Sequence, residues 1–158
     1  MRLLPTLDDV AAAVGEELGL SEWLLIDQER INTFASATGD DQWIHVDPAR
    51  AANGPFSTTV AHGYLTLSLI PMLGAQIVSF GRSVTRLNYG TNKVRFPSPV
   101  PVGSWVRARA TILEVASVSA GSQVTTRYTI ELQGGNKPAC VAETVVLLVP
   151  VEEGSGGR

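Results

Sequence analysis

The feature that most constrains this chain is a long stretch without charge. Between Arg50 and Arg82 the sequence contains no Asp, Glu, Lys or Arg, and residues 63–80 read GYLTLSLIPMLGAQIVSF. About 18 apolar residues in a row make a candidate membrane helix, but Thr66 and Pro71 interrupt this run and strand-like segments follow it. A helix that is apolar on nearly every side is otherwise buried on nearly every side by its own fold. We therefore predict a long, buried central helix over residues 63–80 and no membrane span.

After this helix the sequence alternates with period two, which is typical of antiparallel strands with one face on a core. The predicted strands are residues 83–96, 105–118, 122–133 and 139–150. Proline and glycine residues at 97–103, Ala120-Gly121 and Gly134-Gly135-Asn136 separate them. Because short turns join such long strands, we predict an antiparallel meander that curls.

The N-terminal third is predicted to be mainly helical. Helices are predicted at residues 7–18, 28–38 and 48–52, with a strand-length run at 22–27 and a loop at 40–46. Their N-caps are Thr6, Asp27 and Asp47, and Gly19 and Gly39 are expected to end the first two helices.

Helices first and strands afterwards indicate the α+β class. A curled sheet needs an element that covers its concave face, and residues 63–80 form the one helix apolar enough to do so. We predict one domain over residues 1–150, with an N-terminal helical extension and a curled antiparallel sheet wrapped around the central helix. The small and polar C-terminal residues predict a disordered tail over 151–158.

Composition excludes several classes of function. A net charge of −3 and a pI near 5.3 disfavour binding to nucleic acid or to an anionic membrane. With one cysteine, Cys140, and two histidines, His45 and His62, we expect no disulfide framework and no metal site. The first residues resemble no targeting signal, so we expect a reducing, cytoplasmic location. Charged residues make up only 17%, so we expect a second copy to cover part of the surface and the open sheet edges.

The densest cluster of ionisable groups is residues 39–48, GDDQWIHVDP. Asp40 follows a helix C-terminus, where the helix dipole disfavours negative charge, so a purely structural role explains it poorly. His45 is five positions further on, near enough for both side chains to meet one water in general acid–base catalysis. The alternative is ordinary turn chemistry with a surface histidine. Asp47 is explained as a helix cap and Asp41 as a solvated neighbour.

A second candidate site lies at the start of the apolar helix, in Ala61-His62-Gly63-Tyr64. Free backbone N–H groups at a helix start attract developing negative charge, and glycine lets a ligand approach the main chain. The Gly63 amide is therefore a candidate oxyanion donor, although the glycine is explained equally well by tight packing. His62 either contacts substrate in the same site or is a packed histidine that fixes the turn.

Residues 34–51, FASATGDDQWIHVDPARA, resemble the hydratase motif of the MaoC-like dehydratases, the (R)-specific enoyl-CoA hydratases of the hotdog fold. In that motif an Asp and a His stand five apart before a D-P-x-x-A segment. The resemblance extends to VAHG at 60–63, FPSPVPVG at 96–103 and KPACVAE at 137–143, and so covers nearly the whole chain. The N-terminal segment and NYGTNKVRF at 88–96 are most similar to the actinobacterial, NodN-like branch.

The resemblance implies a reaction. Water adds across a trans-2-enoyl-CoA to give the (R)-3-hydroxyacyl-CoA, with Asp40 and His45 binding the water and moving its proton. The Gly63 amide would polarise the thioester carbonyl, and the apolar helix and strand walls would hold the acyl chain. The enzyme would be a homodimer that needs no cofactor, because coenzyme A is part of the acyl-CoA substrate.

Some positions depart from the family pattern or have an open role. Gln42-Trp43 replaces the Asn-Pro of many members, and Gln42 is a candidate substrate contact. Pro71 stands where some members have serine and is expected to kink the helix and reshape the acyl tunnel. Lys93 and Arg95 share one strand face, where they either meet the CoA phosphates or are merely solvated.

Two other functions stay open. One is a non-catalytic hotdog protein that binds an acyl thioester or supports a partner, and the other is a hotdog acyl-CoA thioesterase. The presence of Asp40 and His45 together with Gly63 favours an enzyme over a binding protein. A thioesterase would usually carry its acid on or near the central helix, yet no carboxylate lies between Arg50 and Arg82.

Overall fold

A computed structural model describes residues 1–81 and 84–150. The helices are α1 (Leu7–Ala12), α2 (Gln28–Thr38), α3 (Trp43–Val46), α4 (Pro48–Ala51), α5 (Gly63–Ser68) and α6 (Ile70–Ile77). The strands are β1 (Arg2–Leu4), β2 (Glu17–Leu20), β3 (Leu24–Ile26), β4 (Val78–Phe80), β5 (Val84–Arg95), β6 (Ser104–Val118), β7 (Gly121–Leu132) and β8 (Cys140–Pro150). The tail predicted at 151–158 and the first residue of the strand predicted at 83–96 lie outside the described residues.

The long strands form one antiparallel sheet in the order β2-β6-β7-β8-β5, and β3 also pairs with β6. The α+β class and the four long strands are confirmed. The prediction of a simple meander was wrong at one point, because β5 pairs with β8 rather than with β6. The proline-rich segment 96–103 carries the chain across the sheet, and β2 and β3 occupy the side of β6 that β5 would have taken.

The first predicted helix is shorter than its apolar spacing indicates. Thr6 caps α1 as expected, but the helix ends at Ala12 instead of continuing through residue 18. Gly15 adopts a positive φ of 84°, and its amide donates to the carbonyl of Ile112 at 2.8 Å. The following residues then pair with β6, so Gly19 lies in a strand and does not end a helix. Pairing with a distant strand overrides the local helical pattern here.

The second helix has its predicted bounds, and Asp27 caps it while Gly39 ends it at a φ of 77°. The loop predicted at 40–46 is only partly a loop, because Trp43–Val46 closes one helical turn. The amide of His45 donates to the carbonyl of Gln42 at 2.9 Å within this turn.

The central helix is kinked and leaves one face open. It is divided at Leu69, two positions before Pro71, whose missing N–H removes a helical hydrogen bond. Instead of continuing to residue 80, it ends at Ile77, because the next three residues pair in parallel with β1. Burial on nearly every side was also wrong, since the sheet covers only one side of the helix. The exposed face consists of Tyr64, Ser68, Pro71, Met72, Ala75 and Gln76.

The core lies between the covered face of this helix and the sheet. The second half of the helix packs against β6 and β2, and the first half against β8. Among the largest fully buried side chains are Leu73, Ile112, Ile130 and Leu148. A curled antiparallel sheet around a central helix is the hotdog architecture that the resemblance implies. In the part of the chain that the structure describes, no helix is long and apolar enough to cross a membrane.

The covered face gives a test of this packing. Leu73 is 0% exposed and its neighbour Met72 is 42% exposed. Leu73→Ala should lower the free energy of unfolding by about 2–5 kcal/mol, because it removes buried methyl groups and leaves a cavity. Met72→Ala, the matched control, should change it by about 0.5 kcal/mol or less in a single chain. Urea denaturation of both variants measures the difference, and equal effects would contradict the orientation of the helix.

Candidate active site

A short backbone segment, residues 59–61, builds the candidate site. The amide of Val60 donates to the carbonyl of Ile44 in α3 at 3.0 Å. On the other side the amide of Ala61 donates to the carbonyl of Val100 at 2.8 Å, within the crossover segment that joins β5 to β6. The segment is therefore held between α3 and the crossover, directly before the start of α5. This brings His45 and the following His62 side by side.

Asp40, His45 and His62 converge. A carboxylate oxygen of Asp40 and one ring nitrogen of each histidine lie within 4.8 Å of one another. The two imidazoles stack with centroids 3.8 Å apart and planes inclined by 26°. His45 is 7% exposed and His62 is 2% exposed, whereas Asp40 is open to solvent. The predicted proximity of Asp40 and His45 is thus present, with one carboxylate at the entrance of a buried imidazole pair.

The protonation state of His45 follows from its hydrogen bond. Nδ1 lies 2.6 Å from the carbonyl oxygen of Val60, which can only accept, so Nδ1 carries a hydrogen. In the neutral ring Nε2 is then free to accept a proton. Burial lowers the pKa of His45 from its ordinary value, and His62 lowers it further, while the Val60 hydrogen bond and the charge of Asp40 act in the opposite direction. The ring is therefore neutral at neutral pH and suited to act as a base.

His62 connects Asp40 with His45, because it bonds to the backbone of the first and stacks on the ring of the second. Its Nε2 donates to the backbone carbonyl of Asp40 at 2.9 Å, and its ring also packs against Phe34 at 5.0 Å between centroids. Nδ1 is buried and has no hydrogen-bond partner among the described residues. This geometry favours the interpretation of a packed histidine that fixes the turn, because the ring has almost no surface through which to contact substrate.

The same three residues include a possible metal donor set, one carboxylate and two imidazoles. A divalent transition metal needs nitrogen lone pairs that converge at about 2.1 Å. The lone pairs lie in the ring planes, and those planes are nearly parallel and separated by a stacking distance of 3.8 Å. The arrangement therefore fits a stacked imidazole pair better than a metal site, and the absence of a metal requirement stays a prediction.

Gly63 begins α5 directly after His62. The first amides of a helix have no acceptor within the helix, so the Gly63 N–H is available to a ligand. A Cβ at this position would lie 3.1 Å from the ring of Phe96, which is closer than ordinary packing. Both explanations of the glycine therefore stand together: its backbone is available, and a side chain there would fit only if the ring of Phe96 shifted by a few tenths of an ångström.

Comparison with known proteins agrees with this fold. The model of a family described as "MaoC like domain" matches residues 9–133. The chain belongs to this MaoC-like family. Its relatives include 3-hydroxyacyl-thioester dehydratase Z of Mycobacterium tuberculosis, which is 53% identical over 150 residues, covering 94% of this chain and 99% of that protein. Nodulation protein N of Rhizobium leguminosarum bv. viciae is 44% identical over 146 residues, covering 90% and 91%.

Solved structures give the same result for the fold of this MaoC-like chain. The unliganded R-hydratase PhaJ1 from Pseudomonas aeruginosa has a TM-score of 0.70 and 26% identity, covering 88% of this chain and 83% of that one. The (R)-hydratase from A. caviae involved in PHA biosynthesis has a TM-score of 0.68 and 28% identity, covering 85% and 95%. The resemblance to MaoC-like dehydratases and the hotdog fold are thereby confirmed.

The remaining candidate residues lie around the site rather than in it. Gln42 is exposed at the start of α3, and its side chain makes no capping hydrogen bond. Lys93 and Arg95 share one face of β5, as predicted. Their partners in β8 are Glu143 and Val141, on the outer face of the sheet and away from the central helix. Contacts of these three residues with substrate stay predictions.

Two supporting residues of this MaoC-like site were missed. Gln28, the first residue of α2, donates from Nε2 to the carbonyl of His45 at 2.7 Å and accepts from the hydroxyl of Thr59 at 2.5 Å. It thereby ties α2 to both sides of the site. No local signal marks it, because its partners are 17 and 31 positions away.

The lowered pKa of His45 predicts a pH dependence of stability. The unfolded ring titrates near 6.5 and the folded ring below that value, so the folded state binds fewer protons between the two. The contribution of the neutral His45 ring to the free energy of unfolding is complete above about pH 6.5 and is lost as the pH falls through the pKa of the folded state. Denaturation from pH 7.5 downward should therefore show a steeper decline of unfolding free energy for the wild type than for His45→Gln. Parallel curves would contradict the buried, neutral imidazole.

Proposed function

We propose that this chain is an (R)-specific enoyl-CoA hydratase, which adds water reversibly to trans-2-enoyl-CoA to give the (R)-3-hydroxyacyl-CoA. The observation that carries the proposal is the neutral His45 ring, with Nδ1 held by Val60 and a ring nitrogen within 4.8 Å of the Asp40 carboxylate and a nitrogen of His62. The activities named for relatives, a 3-hydroxyacyl-thioester dehydratase and (R)-hydratases, support hydratase or dehydratase chemistry.

The proton transfers follow from the site. A water between the two side chains donates one hydrogen bond to Nε2 of His45 and the other to the carboxylate of Asp40. As its oxygen attacks C3 of the enoyl group, Nε2 takes the proton, and the Asp40 charge stabilises the imidazolium. Nε2 then returns the proton to C2, so that all atoms of one water end on the product. The reverse sequence is dehydration.

Negative charge develops on the thioester oxygen during this attack. In the proposed complex the amide of Gly63 donates to that oxygen, which stabilises the enolate-like state. The site is small here, because the ring of Phe96 packs against Gly63 and Tyr64 meets the same ring edge-on at 6.2 Å. The thioester would therefore lie against the backbone rather than against a long side chain.

We also propose a homodimer that works in the cytoplasm without a separate cofactor. Among the described strands, β5 is at the end of the sheet and pairs only with β8, which leaves one edge open. Large apolar side chains are exposed beside that edge: Tyr64 and Met72 on the helix, and Leu87 and Tyr89 on β5. A second copy would cover both the open edge and this apolar surface.

Two alternative functions predict different assay results. A non-catalytic binding protein would hold an acyl-CoA without turning it over, and a thioesterase would release free CoA. The geometry favours neither, because the base at His45 is neutral and the described central helix carries no carboxylate. Assays of hydration and of free thiol on the same acyl-CoA separate the three functions.

The acid–base pair predicts the effect of single substitutions. Asp40→Asn and His45→Gln should each lower kcat for crotonyl-CoA hydration by about 10²–10⁴-fold, since each removes a group that takes part in proton transfer. Asp41→Asn is the matched control, because it removes a neighbouring exposed carboxylate outside the cluster. Loss of the conjugated-thioester absorbance measures the rate. Full activity in either Asp40→Asn or His45→Gln would refute the mechanism.

The dimer is tested separately by sedimentation. At micromolar concentration the wild type should sediment at twice the chain mass of 16.8 kDa, because an open strand edge with adjacent apolar surface is costly in water. A monomer at this concentration would contradict the assembly, whatever the result of the hydration assay.

A further inference from the structure

A groove of about 520 Å³ lies between the central helix and the concave face of the sheet formed by β5, β7 and β8. Its helix wall extends from Leu67 to Ala75, so it begins about one helical turn beyond Gly63. Strand β5 runs back along the helix, and therefore Phe96 lies against Gly63 while Arg86 lines the far end beside Phe80.

The register of β5 shows which of its side chains face the groove. Arg86 is opposite Leu148 and Asn88 is opposite Val146 in β8, and residues directly opposite point to the same side of a sheet. Leu148 is fully buried and Val146 lines the groove, so Arg86 and Asn88 lie on the groove side of β5, where both remain exposed to solvent, while Leu87 lies on the other face. Two polar side chains of β5 thus face the groove, whereas the apolar Leu87 faces away from it.

Two hydrogen-bond donors approach each other in this groove. Arg86 is the one charged residue among those that line it. The hydroxyl of Tyr128 lies against the helix, 2.8 Å from the position that a Cβ on Gly74 would occupy. Burial raises the pKa of Tyr128 and the charge of Arg86 lowers it, so the phenol is protonated and within electrostatic reach of the guanidinium. Neither group has a hydrogen-bond or ion-pair partner within residues 1–81 and 84–150.

We propose that Arg86 and Tyr128 bind a carboxylate carried on the acyl chain of the thioester substrate. A guanidinium and a phenol hydroxyl are donors without a competing acid, and a carboxylate accepts from both. Between them and the reacting end, Leu67, Ile70 and Val124 provide an aliphatic wall for methylene groups. The inference rests on the proposed function and narrows its substrate class to acyl groups with a distal acid.

The distance along the helix sets the length of such a chain. Eleven positions separate Gly63, where the thioester would lie, from Gly74, where the Tyr128 hydroxyl stands. At a rise of about 1.5 Å per residue this is about 16 Å. An extended chain covers about 3.5 Å in three bonds, and the hydrogen bond to the acid covers about 2.8 Å, so roughly eleven bonds reach from the thioester to the acid.

The experiment compares two substrates that differ only at the far end, trans-2-dodecenoyl-CoA and the ω-carboxylated trans-2-dodecenedioyl-CoA. The wild type should hydrate the diacid derivative with a kcat/KM at least about tenfold higher, as expected for charge-assisted hydrogen bonds. Arg86→Gln should bring the ratio of the two kcat/KM values close to unity, and Tyr128→Phe should lower it severalfold. Arg127→Gln, which removes an arginine from β7 that pairs with Glu143 on the outer face, should keep the wild-type ratio.

The outcomes separate the two proposals. If crotonyl-CoA is not hydrated, the proposed function fails, and calorimetry with the saturated dodecanedioyl-CoA and dodecanoyl-CoA still measures the groove. Tighter binding of the dioyl compound, abolished by Arg86→Gln, would support the distal carboxylate site. If crotonyl-CoA is hydrated but the two dodecenoyl substrates react equally, or neither reacts, the carboxylate site is wrong. The same conclusion follows if the preference survives in Arg86→Gln.

Discussion

The hydrogen bonds of residues 59–61 connect the sheet, the central helix and the candidate site. On one side they bind the turn that carries His45, and on the other they bind the crossover between β5 and β6. The carbonyl of Val60 accepts a hydrogen bond from Nδ1 of His45 and so sets the tautomer of that ring. The ring of His45, the base of the proposed reaction, is therefore oriented by the same backbone segment that binds the crossover between β5 and β6. A change in the crossover would therefore affect His45 without touching its side chain.

Local signals predicted the parts of the fold whose causes are local. Asp27 and Gly39 define α2 because a cap and a left-handed glycine act within one turn. The end of α1 could not be predicted, because Gly15 bonds to Ile112 across the sheet. In the site, five positions of spacing were enough to bring Asp40 near His45. The stacking of His62 and the support from Gln28 depend on partners 17 or more positions away, which no spacing rule contains.

The uncharged stretch between Arg50 and Arg82 contains a helix with two different faces. One face of the helix is uncharged because the sheet buries it, as Leu73 and Ile77 show. The opposite face of the helix is uncharged although it is exposed, as Tyr64 and Met72 show. Burial within one copy explains the lack of charge on the buried face only. In the proposed homodimer the exposed face would meet the other copy, and this would account for the low share of charged residues.

Pro71 and Gly74 interrupt the apolar helix, and they also make room inside the protein. Pro71 divides the helix near its middle and lines the groove, and Gly74 leaves space for the hydroxyl of Tyr128, which any side chain at that position would displace. The first turn of the same helix is packed differently, with Gly63 against Phe96 and His62 against His45. In the proposed reaction, proton transfer would need a rigid arrangement, whereas the acyl chain would need volume. One helix would meet both needs, because it is tightly packed at Gly63 and carries little side-chain bulk at Gly74.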